Sequence, residues 1–310
     1  MYLRLIQASC ILAFIAVVLS AYVRLSDAGL GCADWPSCYK SNALKERQAP
    51  HADATRGYTS WQRKLHSQLV MLLGFLSIAI SGLSWLKRKE LEQSPLLPTL
   101  LTCLMAFLAV FGIWAFSHLP RAIIVPVHLA GGMSMLILLT WMLLRQMPSI
   151  NKIEPVIANQ WRIYSWIGLI LVIVQIMLGS WVSSNFAGIA CGDFPLCQGS
   201  LLPLMDFSYT LDNSGLPLSD ERLTAIHWMH RFGSLLTITY LSWLALNIMK
   251  CGGIKLLGVS VLGLVVLQCV LGLSNVLLGL PLMGAVLHNA VAMMLLIALV
   301  LLNFRLQVPQ

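Results

Sequence analysis

Four histidines and four of the eight cysteines are the residues of this chain best suited to chemistry, and they form two matched sets. The first set is Cys32, Asp34, Pro36, Cys38, His66 and His128, and the second is Cys191, Asp193, Pro195, Cys197, His230 and His288. The second set is displaced by 159 to 164 positions, and the residues leading into the cysteines match at a constant offset of 159. A duplicated half explains this pattern, so the sequence predicts two similar sites.

The paired histidines indicate a metal-containing macrocycle. A single histidine at the end of a membrane helix is more often a hydrogen-bonding group than a ligand. A pair on alternate helices of a four-helix bundle can converge from opposite sides and bind the two faces of one planar metallocycle. We therefore expect a heme between His66 and His128 and another between His230 and His288.

Glycines and cations near these histidines suit a large flat ligand with acidic edges. Gly131, Gly132 and Gly284 are expected to leave room beside the histidines, although close helix packing is the alternative. Arg231 adjoins His230 and is expected to meet a heme propionate. Four further cations lie at the mouth of the first half, namely Arg24, Arg63, Lys64 and Arg121, with a solvated interfacial position as the alternative. Three histidines are interpreted as non-ligands: His51, His118 and His227.

The cysteine pairs Cys32 with Cys38 and Cys191 with Cys197 each enclose five residues within a predicted outer loop. Disulfide bonds are the favoured interpretation, because these loops are assigned to the oxidising side of a membrane. Metal binding competes with it, but the spacing is not that of a zinc knuckle and neither short segment contains a histidine. Free thiols are the remaining alternative.

Composition places the chain in a membrane. Hydrophobic residues make up 58% of it and charged residues only 10%, which is too apolar for a soluble protein of 310 residues. Eight apolar stretches are long enough to span a bilayer: 4–23, 65–86, 97–116, 123–144, 163–183, 226–249, 254–276 and 284–304. We predict an all-α integral membrane fold with eight transmembrane helices in two tandem, pseudo-symmetric four-helix bundles. Residues 1–150 form the N-terminal bundle and 151–310 the C-terminal one.

The distribution of charge predicts orientation and excludes some functions. Basic residues concentrate in the short loops after the second, fourth and sixth spans, which predicts cytoplasmic termini and two long outer loops. The sequence shows no basic face interleaved with aromatic residues, which is the pattern typical of nucleic-acid binding. All twelve acidic residues fall in loops or at helix ends, whereas ion-coupled transporters carry carboxylates within the bilayer. A transporter is therefore disfavoured, and the first stretch is expected to be a retained helix rather than a signal peptide.

Several segments resemble the signatures of the heme A synthase family. They are Gly29–Cys38, Gln175–Cys197, the pair His230-Arg231 and Leu280–His288. The resemblance covers nearly the whole chain, including the number of spans, the histidines and both cysteine pairs. It implies a bacterial cytoplasmic membrane protein that oxidises a ring methyl of heme O, in two hydroxylations, to the formyl group of heme A.

The resemblance also implies a role for each half. His66 and His128 would hold heme O as substrate in the first half, and His230 and His288 would hold heme b as an electron-transfer cofactor in the second. A heme ligated on both faces suits electron passage better than oxygen activation. The partners implied are the lipid bilayer, a heme O synthase and oxidase assembly factors.

One departure from the family concerns the first histidine. The family usually has Glu-x-x-His-Arg there, whereas this chain has Arg63 and Ser67 around His66. A cation at this position reverses the local electrostatics, so the catalytic residue stays unassigned. Four loop acids could substitute: Asp27, Asp34, Glu46 and Asp53. A non-catalytic heme-binding assembly protein and a membrane b-type cytochrome are the alternative functions.

Overall fold

The described part of this computed structural model is all-helical and comprises residues 1–27, 30, 37, 40–41, 61–91, 94–119, 121–147, 153–207 and 219–307. Eight long helices and one 3-10 turn, Ala187–Ile189, occur in it without a β-strand. The first four helices are α1 (Tyr2–Asp27), α2 (Trp61–Leu86), α3 (Leu96–His118) and α4 (Arg121–Arg145). The last four are α5 (Pro155–Ser184), α6 (Asp220–Ile248), α7 (Lys255–Leu277) and α8 (Leu282–Arg305).

Seven of these eight helices, all except α6, are long and apolar enough to cross a membrane within the described ranges. Helix α6 has 29 residues, which corresponds to about 44 Å of length. It is less apolar because charged residues occupy its first turn, and because Arg231 and several hydroxyl side chains interrupt the rest. The predicted span 226–249 is therefore a helix, and among the described long helices it alone falls short of the composition of a membrane span.

The helices of each half contact one another in a closed order. In the first half α1 contacts α2 and α4, and α3 contacts the same two helices; in the second half α5 and α7 each contact α6 and α8. The halves meet where α1 and α4 pack against α8 and where α4 packs against α5. Large apolar side chains such as Phe75, Ile113 and Leu256 remain exposed on the outside, which suits a lipid environment.

The start of α6 determines where the histidines of the second half lie. Ser219 caps this helix, with its hydroxyl accepting a hydrogen bond from the backbone N–H of Arg222. Asp220 and Glu221 follow in the first turn, where negative charge complements the helix dipole. His227 and His230 consequently fall in the second and third turns of α6.

Candidate functional site

A cavity of about 190 Å³ lies among α1, α2, α3 and α4 and is closed on one side by α8. His66 from α2 and His128 from α4 both line it, so the two imidazoles of the first half share one space. Most of the remaining wall is apolar, including Val17, Leu108 and Met135. The two imidazoles therefore lie beside mostly apolar side chains.

The histidines of the first half have few polar contacts with other described residues of the helix bundle. Nδ1 of His66 is buried and has no hydrogen-bond partner among the described residues. Such a buried polar atom normally has a partner, and an imidazole nitrogen without one is suited to bind a ligand or metal. Gly132 lines the cavity, whereas Gly131 packs against Leu108 of α3. Of the glycines expected to leave room, Gly132 therefore lies at the cavity, while Gly131 and Gly284 pack against neighbouring residues.

Arg24 brings a positive charge into the cavity wall from α1. Its guanidinium donates hydrogen bonds from Nη1 to Ser183 Oγ at 2.6 Å and from Nη2 to Asn289 Oδ1 at 3.1 Å. Ser183 belongs to α5 and Asn289 to α8, so this contact joins the two halves beside the cavity. Arg63 and Lys64 are exposed in the first turn of α2, and the side chain of Arg121 lies outside the described part.

The histidines of the second half each contact a glutamine from the preceding helix. Nε2 of Gln175 in α5 lies 2.9 Å from Nδ1 of His230, and Nε2 of Gln268 in α7 lies 3.1 Å from Nε2 of His288. The two imidazoles are close enough to interact electrostatically. Nδ1 of His288 is buried without a hydrogen-bond partner in the described part.

These donor sets fit a heme better than a bare metal ion. Across the described ranges, no three His, Cys, Asp or Glu side chains lie together as a metal site. A protein-bound ion generally needs at least about three protein ligands, whereas two imidazoles suffice for a heme, whose ring supplies the others. The first cavity is smaller than the roughly 300 Å³ minimum of typical ligand pockets. Three flexible methionine side chains, Met105, Met135 and Met293, line it and can move to admit a larger guest.

Comparison with known proteins decides the family. A family model described as COX15-CtaA, cytochrome oxidase assembly protein, matches residues 4–300. The chain is 31% identical to a heme A synthase of Shewanella oneidensis, over 97% of this chain and 95% of the relative. It is 26% identical to a heme A synthase of Wolbachia pipientis subsp. Culex pipiens, over 90% of each.

The chain belongs to the COX15-CtaA family. The resemblance recognised from the cysteine and histidine segments is thus confirmed over almost the full length. One of the two predicted disulfides is also confirmed, because Cys191 and Cys197 are bonded in the structure. The other pair, Cys32 and Cys38, lies outside the described residues, as do the candidate acids Asp34, Glu46 and Asp53. The side chain of the fourth candidate acid, Asp27, is likewise not described.

Arg231 joins the disulfide loop of this COX15-CtaA member to α6. Its guanidinium donates to the backbone carbonyls of Cys191, Asp193 and Leu196 at 2.6, 2.9 and 2.8 Å. His227 adds a fourth contact, since its Nδ1 accepts a hydrogen bond from the N–H of Cys191 at 3.3 Å. His227 therefore contacts the backbone of the disulfide loop, whereas a propionate contact of Arg231 stays a prediction.

Asp193 stabilises the same loop through its carboxylate, and this makes the loop sensitive to acid. The backbone N–H groups of Gly199 and Gln198 donate to it at 2.8 Å each, and they hold the pKa of this carboxyl below its usual value. A lowered pKa stabilises the fold above the ordinary carboxyl pKa, and that stabilisation is lost as the pH falls through the lowered value.

We expect the disulfide to become accessible in acid. As the pH falls through this lowered pKa, which lies below the ordinary carboxyl value, protonation of Asp193 should make reduction of Cys191–Cys197 by a water-soluble phosphine severalfold faster. Thiol labelling of the quenched protein measures this rate. Asp193→Asn should remove the pH step, because the amide does not titrate in this range; an equal step in the variant would contradict the assignment.

The sequence interpretation assigned no role to two functional candidates, Gln175 and Gln268. The signal for them was present, because both begin the motif Gln-x-x-Leu-Gly, at Gln175–Gly179 and Gln268–Gly272. The motif is easily overlooked in apolar spans, because a single amide there is also compatible with ordinary helix packing.

Proposed function

We propose that this protein is a heme A synthase, which oxidises a ring methyl of heme O to the formyl group of heme A. The observation that carries the proposal is the match, over 97% of the chain, to a relative described as heme A synthase. The enclosure of His66 and His128 in one apolar cavity supports it independently.

In this proposal the first half binds the substrate. His66 and His128 would hold the iron of heme O between them, and the apolar wall would accommodate the macrocycle once the lining methionine side chains move. Arg24 offers a cation to a propionate, because its guanidinium lies in the cavity wall and is fixed by two neutral acceptors. Fixing the ring at both faces and at one edge orients the methyl that reacts.

The second half holds the resident cofactor in this proposal. His230 and His288 would hold a heme b, and Arg231 lies next to His230 at the outer end of α6. When bound, heme b supplies one-electron transfer. The residues of the chain keep it in place and shield it with α5 to α8.

We further propose that the helices form two tandem four-helix bundles, residues 1–150 and 151–310, in the cytoplasmic membrane of a bacterium. Helix α6 would be the eighth span, since it packs against α5 and α7, both of which have the composition of spans. The basic residues of the short loops support an orientation with both termini in the cytoplasm. A heme O synthase and oxidase assembly factors are the protein partners that this function implies.

A second candidate function is a heme-binding assembly protein without catalysis. Arg63, exposed in the first turn of α2, favours it, since the family usually has a glutamate at this position. A cation there cannot accept a proton as a carboxylate does.

Heme analysis separates the two functions. The full-length protein is expressed together with a heme O synthase in a host that makes no heme A, and extracted hemes are resolved by chromatography. We expect heme A to appear only when both proteins are present. Heme O that stays unchanged beside protein-bound heme would reject the synthase and leave the assembly protein.

A further inference from the structure

We propose that Gln175 and Gln268 position the two histidines of the second half so that its heme is held permanently, whereas the first half lacks both amides and exchanges its heme. The inference rests on the proposed function, because it takes His230 and His288 as heme ligands. It assigns to two residues a role that the ligand pairs alone do not define.

Gln175 lies within a polar cluster of four residues, Gln175, His230, Gly233 and Ser234, which we call the Gln175 cluster. Its Nε2 lies 2.9 Å from His230 Nδ1, 3.0 Å from the His230 carbonyl oxygen and 2.6 Å from Ser234 Oγ. Gly233 makes space for the amide, because a Cβ there would come 2.5 Å from Gln175 Oε1. The amide therefore occupies a defined position against the ring of His230.

Gln268 has the corresponding relation to His288. Its Nε2 lies 3.1 Å from a ring nitrogen of His288. One turn further along each helix, a glycine faces the same imidazole: a Cβ on Gly179 would lie 3.0 Å from His230 Cε1, and one on Gly272 would lie 3.2 Å from His288 Cε1. Each Gln-x-x-Leu-Gly motif thus presents an amide and a gap to one histidine.

The first half has apolar residues at the equivalent positions. The offset of 159 that relates the segments before the cysteines places Ala16 opposite Gln175, and the offset of 160 between His128 and His288 places Leu108 opposite Gln268. Leu69 and Val70 likewise take the places of Gly233 and Ser234. Ala16, Val70 and Leu108 line the cavity beside His66 and His128. The first half consequently has open apolar space where the second half has a hydrogen-bonded amide.

The difference has a physical consequence for a bound metal. When one ring nitrogen of a histidine binds a metal, the other carries a proton, and an acceptor for that proton fixes the ring and raises its basicity. Each amide has Nε2 at the ring, while its Oε1 is buried without a hydrogen-bond partner in the described part. Rotation of the amide would bring this acceptor to the ring nitrogen that carries the proton. In the first half the positions of the two glutamines are apolar, and the hydrogen bond of His66 is to the backbone of Ala16. The rings there lack a side-chain amide that holds them, which favours release of a product.

The test measures heme retention in the full-length protein. Gln175→Leu and Gln268→Leu are purified with their heme and mixed with excess apomyoglobin, which captures released heme. The matched control is Gln160→Leu, because Gln160 lies exposed on the same helix as Gln175. Both site variants should lose heme about tenfold to a hundredfold faster than wild type, and the control should not.

A second readout separates positioning from general loosening of the fold. Loss of the acceptor makes the imidazole a weaker donor, so the midpoint potential of the heme should become more positive in both variants and stay unchanged in Gln160→Leu. Ser234→Ala, which removes one contact of the Gln175 cluster, should shift both quantities in the same direction by less. Ser234→Ala replaces Gln175→Leu in the test if the Gln175→Leu protein does not accumulate in the membrane.

The possible outcomes are distinct. Wild-type rates and potentials in all glutamine variants would overturn this inference and leave the proposed function intact. A wild-type protein that retains no heme in its second half would overturn the assignment of the cofactor site and the inference with it.

Discussion

Replacing His230 with alanine is expected to abolish the tightly bound heme of the purified protein. His230 in α6 and His288 in α8 are the two proposed heme ligands of the second half, and removing one imidazole leaves a macrocycle with a single protein ligand. The cost should exceed the roughly hundredfold loss that follows removal of an outer partner of a ligand. A pyridine hemochrome assay per mole of protein measures it, and the low-spin spectrum should disappear.

The neighbouring His227 provides the control for this experiment. It lies one turn before His230, but its Nδ1 accepts a hydrogen bond from the N–H of Cys191. His227→Gln keeps an acceptor at that position, so the variant should retain its full heme content. Equal heme content in His230→Ala and wild type would show that the second half does not use this imidazole as a ligand.

The fold was largely predictable because membrane helices have a simple sequence signature. Seven of the eight predicted stretches coincide with helices apolar enough to span the bilayer. An apolar segment in lipid forms a helix because its backbone N–H and C=O groups must hydrogen-bond to one another within the segment. Helix α6 is the exception. His227, His230 and Arg231 lie near its start, where they contact the disulfide loop and the candidate site. These polar residues make α6 less apolar than the other helices.

The candidate site was predictable to the extent that duplication revealed it. Repetition picked out the four histidines and Cys191 with Cys197, because a matched pair is much less probable by chance than a single residue. Tertiary contacts were not predictable in this way. Arg24 bonds Ser183 and Asn289 across the junction of the halves, and Arg231 bonds three loop carbonyls. Which acceptor an arginine meets depends on how segments far apart in the chain pack together.

The two halves should be separable by mutation of the first cavity. His128→Ala, expressed with a heme O synthase, should reduce heme A to background while the heme of the second half remains. The reason is that His66 and His128 line one cavity in α2 and α4, whereas His230 and His288 belong to α6 and α8. Chromatography of total heme and a spectrum of the purified protein measure the two effects on one sample.

Gln68→Ala is the matched control for the first cavity, because Gln68 is exposed on α2 close to His66. It should leave both heme A formation and the bound heme unchanged.

Loss of the second heme in His128→Ala would contradict the separability of the two halves. Such a loss would indicate that α8 couples the two sites. That helix carries His288 toward one site and the adjacent Asn289 toward the other, where Asn289 is bonded to Arg24. A ligand in the first cavity that engages Arg24 would then act one residue away from His288, the proposed ligand of the second half. Independence of the two halves therefore requires that binding at Arg24 change the position of His288 very little.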